Sequence, residues 1–69
     1  MTATEIARAA VRDVRQAATF LSPQVVENLA RARVAMHILS MDDSTPASVR
    51  LMRLEDAIRA IPEFLFPED

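Results

Sequence analysis

The chain has 69 residues and a mass of 7.7 kDa, room for one helical domain over residues 1–69 and no second one. Hydrophobic residues make up 51% and aromatic ones only 4%, so aliphatic side chains and methionine must supply the core. A formal net charge of −2 and a pI near 5.2 argue against a nucleic-acid coat, which needs strong positive charge, and the lack of cysteine excludes disulfides and thiolate metal sites.

The spacing predicts a first helix over about 3–21. It opens with Thr2-Ala3-Thr4-Glu5, a capping box in which Thr2 and Glu5 satisfy free amides of the first turn. Ile6, Ala7, Ala10, Val11, Val14, Ala17, Ala18 and Leu21 fall within about 140° of arc at 100° per residue. Arg8, Arg12, Arg15 and Thr19 gather on the other side, and Phe20 points away from the apolar stripe. Ser22-Pro23 then reads as an N-cap followed by a proline preorganised for the first helical position. A residue before proline avoids the helical region, which predicts a turn here. A kinked continuous helix is the alternative, since Leu21 and Val25 carry the stripe across the boundary.

The second helix is predicted over 23–41 and is apolar nearly all round. One face carries Val25, Leu29, Ala32, Met36 and Leu39 in steps of four and three. Another carries Val26, Ala30, Val34, Ile38 and Met41, with His37 among them. Such a helix is normally buried on all sides, and two short neighbours cannot cover both faces. Val26, Ala30, Val34, His37, Ile38 and Met41 are therefore expected at a dimer or partner interface.

After the acidic loop around Asp42 and Asp43, Thr45-Pro46 repeats the cap-plus-proline start, and a third helix is predicted over 46–61. Ala47, Leu51, Leu54, Ile58 and Ile61 share its apolar face. Pro62 ends it and begins a short hydrophobic tail, 62–69. Phe64, Leu65 and Phe66 are its anchors, expected to dock back on the bundle, with presentation to another chain as the alternative. The fold class is thus all-α: three short helices forming a small bundle or hairpin. At this length a core without disulfides or metal is marginal, which predicts completion by homodimerisation.

No residue pattern assembles a reaction centre, so the chain reads as non-enzymatic, without cofactor or metal. His37 is the sole histidine and stands among apolar residues, without a second ligand or nucleophile. Asp42 and Asp43 lack the oxygen ligands and the glycine of a calcium loop. Glu27 with Arg31 and Glu55 with Arg59 are spaced for surface ion pairs. Glycine and lysine are both absent, which excludes glycine-rich phosphate cradles. With abundant alanine and arginine as the only strong base, the composition suggests a GC-rich bacterial or phage genome. No apolar run approaches the ~18 residues of a membrane span, and no signal peptide is visible, which predicts a cytoplasmic protein.

Arg8, Arg12 and Arg15 are the candidate partner-binding rim, because guanidinium forks bind carboxylate and phosphate bidentately. Size and make-up resemble the class of tiny helical regulators that bacteria and phages use against larger proteins. The expectation is a homodimer that inhibits or modulates a larger protein by occluding one of its surfaces. The rival is a helical dimer that binds RNA or DNA through the arginine stripe, and a structural subunit of a phage particle is a third reading.

Overall fold

The computed structural model describes residues 2–41 and 44–66. Three α-helices and one 3₁₀ turn follow in order: α1 (Ala3–Ala17), α2 (Pro23–Leu39), α3 (Ala47–Ala60) and the turn Ile61–Phe64. There is no strand among the described residues, so the fold is all-α. Among the described residues no helix is long and apolar enough to cross a membrane.

Local chemistry sets most of the boundaries. The Thr2 hydroxyl accepts from the Glu5 amide at 3.2 Å and donates to the Glu5 carboxylate at 3.1 Å, a variant of the box in which the acid meets the hydroxyl. α1 stops at Ala17 instead of running to residue 21, because Ala18 turns extended at φ −151°. The chain must reverse before Ser22, whose hydroxyl caps α2 by accepting from the Val25 amide at 3.4 Å. The five residues 18–22 make that reversal, so α1 and α2 form a hairpin and not a kinked helix. Ala17 and Ala18, placed in the stripe by periodicity, are exposed as a result, and Phe20 is 98% exposed.

α2 ends at Leu39, two residues before the expected 41, where the Ser40 amide reaches both Met36 and His37 carbonyls and the Met41 amide bonds Ile38. α3 begins at Ala47 with Pro46 as its N-cap residue and no side-chain cap, so Thr45 does not cap it as predicted. Instead the Thr45 carbonyl accepts from Arg50 Nε at 3.0 Å. No described residue has positive φ. A glycine-free chain manages this by leaving each helix in extended or right-handed conformation, without the left-handed C-cap that glycine usually supplies.

Among the described residues the core contains only apolar side chains. α1 gives Ile6, Ala7, Ala10, Val11 and Val14; α2 gives Val26, Ala30, Val34 and Ile38; α3 gives Ala57; Ile61 and Leu65 close the end. Alanines at 7, 10, 30 and 57 let the three helix axes approach closely. α3 packs chiefly through its second half. Leu54 and Ile58 are half-buried, whereas Ala47 and Leu51, expected on the buried face, are exposed.

This packing corrects the expected interface. Val26, Ala30, Val34 and Ile38 lie inside the chain's own core, where no partner can reach them. Met41 is half-buried against the same core, and His37 is exposed. The two apolar faces of α2 are equivalent by periodicity alone; the one bearing small and β-branched residues packs against alanine-rich α1, and the one with Leu29, Met36 and Leu39 faces outward.

Candidate functional site

The Arg8, Arg12, Arg15 row and the C-terminal tail meet in one place. The 3₁₀ turn carries the chain back from α3 to α1, and Leu65 enters the core. Arg15, itself half-buried, donates from Nη2 to the Leu65 carbonyl. The Arg8 guanidinium lies 5.4 Å from the centroid of the Phe64 ring, within the range of cation–π attraction. The tail thus docks on its own bundle through Leu65 and half-buried Phe64, but Phe66 is 67% exposed and takes no part in closing it.

The sequence reading assigned the arginine row wholly to a partner. Two of its three members instead contact the tail, Arg8 and Arg12 are exposed, and Arg15 is half-buried. The Arg12 Nε lies 3.9 Å from the carboxylate of the neighbouring Asp13. That carboxylate also pairs with Arg33 of α2 at 3.4 Å, so it is shared between two guanidiniums. Both pairs are largely solvated and contribute little to stability.

Together these groups line an open groove of about 580 Å³. Arg8, Arg12 and Arg15 form one wall, Gln16, Thr19 and Phe64 complete the rim, and buried Val11 lies at its base. Among the described residues no acidic one lines it. Each guanidinium has five N–H donors in a fixed fork, and the contacts to the tail use only one donor of Arg15 and the face of Arg8. Most of the other donors of Arg8 and Arg15 stay available, on side chains that the tail holds in place, while Arg12 faces Asp13 through its Nε. Such a groove suits carboxylates attached to a chain with some apolar character.

The other sequence candidates do not join this site. His37 lines the cleft between α1 and α2 with Ala9 and Asp13 and a neighbouring depression with Arg33, Met36 and Ser40, and its carbonyl accepts from the Ser40 hydroxyl at 2.7 Å. Among the described residues no three His, Asp or Glu side chains gather as metal ligands. Asp42 and Asp43 lie outside the described residues. Glu27 and Arg31 pair at 3.9 Å as expected, but Arg59 turns to Asp56 at 3.7 Å in preference to Glu55. Sequence reasoning missed the link between the arginine row and the tail, because a contact across 50 residues leaves no periodic signal.

The chain matches no protein-family model, no curated protein and no solved structure. Any functional reading therefore comes from its own residues.

Proposed function

We infer that this is a small non-enzymatic regulatory protein that binds an acidic segment of a larger protein in the arginine-lined groove. Inhibition or modulation follows from occlusion, since a body this size seated on a partner covers much of a functional face. The observation that supports it is the convergence of Arg8, Arg12 and Arg15 on one groove with no carboxylate among its described lining residues, in a chain whose net charge is −2. A protein segment fits better than nucleic acid on two counts. The overall charge is negative, and the Phe64 face that could stack a base is covered by Arg8.

The test is a titration of a fluorescently labelled Glu/Asp-rich peptide, with a single-stranded oligonucleotide in parallel, at low and high salt. The wild type is expected to bind the peptide more tightly than the oligonucleotide, and Arg12→Glu to weaken peptide binding at least about tenfold, chiefly by slowing association. Arg12 is the position to reverse because Arg15 also secures the tail. Tighter binding of the oligonucleotide, with a steep loss on adding salt, would transfer the groove to nucleic acid. Peptide binding that ignores Arg12→Glu would remove the groove from consideration.

A further inference from the structure

We propose that the C-terminal tail makes the arginine groove competent to bind: Phe64 and the Leu65 carbonyl position Arg8 and Arg15 for an anion, and groove occupancy and tail docking stabilise each other. This rests on the reading of the groove as the site for an acidic segment and adds how that site is regulated.

Arg8 and Arg15 stand seven residues apart on α1, which sets their Cα atoms about 10.5 Å apart along the axis at ~1.5 Å per residue. With Arg12 between them they form a row of like charges, which repel on an isolated helix. Phe64 and Leu65 are consecutive, with Cα atoms only ~3.8 Å apart. Yet the Phe64 ring meets Arg8 and the Leu65 carbonyl meets Arg15. Both ends of the row are thus drawn toward one short piece of the tail. The two tail groups are uncharged, so they hold a guanidinium without neutralising it. Glu63, the acidic residue of the 3₁₀ turn, is exposed and is not among the groove's lining residues. The positive charge stays available to a ligand.

The tail's own hold on the bundle is apolar and small. Ile61 and Leu65 are its buried residues, and its one turn is closed by a bond of 3.4 Å from the Leu65 amide to the Pro62 carbonyl, at the long end for such bonds. Short elements with few buried side chains open locally at low cost while the rest of the fold persists. In the docked state the two guanidiniums are gathered beside Phe64. In the undocked state both tail contacts are lost and Phe64 leaves the rim. Gathering like charges opposes docking, and carboxylates placed among them remove that opposition. The coupling is therefore positive. By linkage, the factor by which docking raises affinity is the factor by which the ligand favours docking.

The test titrates the full chain with the labelled Glu/Asp-rich peptide, at a temperature where every variant keeps the wild-type helical circular dichroism. There a loss of overall stability leaves the folded fraction unchanged, so affinity reports the tail. Leu65→Ala keeps all three arginines and should weaken binding at least about fivefold, because fewer molecules hold the docked state. Phe66→Ala should leave binding unchanged, since Phe66 is exposed. Phe64→Leu fills the rim without a π face and should weaken binding about two- to fivefold, the worth of an exposed cation–π contact. Phe64→Tyr keeps the ring face and should recover most of that loss. In the reciprocal measurement, saturating peptide should slow hydrogen exchange of the Leu65 amide at least about fivefold. Binding that needs Arg12 but is unchanged in Leu65→Ala or in Phe64→Leu would overturn the coupling and leave the binding site standing. So would Leu65 exchange that ignores the peptide. A wild type that binds no peptide would overturn the site itself and the coupling with it.

Discussion

Truncating Leu65 to alanine tests whether the tail is part of the fold. Leu65 is 7% exposed, and it packs with Ile61 against α1. The substitution deletes the equivalent of three buried methyl or methylene groups, about 2.4 kcal/mol at ~0.8 kcal/mol each. The end of the bundle can partly collapse onto the gap, so little is added for a cavity, and the total is about 2–3 kcal/mol. The backbone is unchanged, so the carbonyl that Arg15 binds remains in place, and the loss reports packing alone. For a domain of this size each kcal/mol moves the melting temperature by ~4–8 °C, which predicts a fall of roughly 10–20 °C. Thermal unfolding followed by circular dichroism, at one fixed protein concentration so that self-association does not shift the curve, is the assay. Phe66→Ala is the control, since Phe66 is 67% exposed and its loss should stay within ~0.5 kcal/mol. Equal melting of wild type and Leu65→Ala would refute the docked tail. A larger loss in Phe66→Ala than in Leu65→Ala would place the wrong side chain in the core.

Two further perturbations separate the inner face of α2 from its outer face and test its start. Val34 has no exposed surface, so Val34→Glu would bury an unpaired carboxylate and should abolish cooperative unfolding in urea, whereas Met36→Glu, two residues on, should leave the monomer's urea midpoint nearly unchanged. Ser22→Ala removes the hydroxyl that accepts from the Val25 amide and should cost about 1 kcal/mol by chemical denaturation; no change would mean that Pro23 alone fixes the start of the helix.

The all-α class, the presence of three helices and the places where two of them begin are legible in the sequence, because each depends on neighbours a few residues away. Thr2 and Ser22 cap the helices that follow them, Pro23 opens α2, and the apolar positions of α1 recur at the helical period. The arginine row was visible for the same reason, as a face of one helix. Where a residue's role depends on something distant, the pattern was silent or misleading. Both faces of α2 satisfy the periodic rule, and the packing chose between them: Val26, Ala30, Val34 and Ile38, mostly small or β-branched, join Ala7, Ala10 and Ala57 in the core, and Leu29, Met36 and Leu39, unbranched at Cβ, stay outside. The end of α1 at Ala17 follows from the need to reverse direction before a capped helix, not from any helix-breaking residue at that point. Arg15 reads as a surface charge until the chain returns from α3 and places the Leu65 carbonyl beside it. Helical propensity, capping and periodicity act within a turn or two of chain and can be read residue by residue; which face turns inward and which arginine stays available depend on three helices and a tail filling one volume together, and only the tertiary packing decides them.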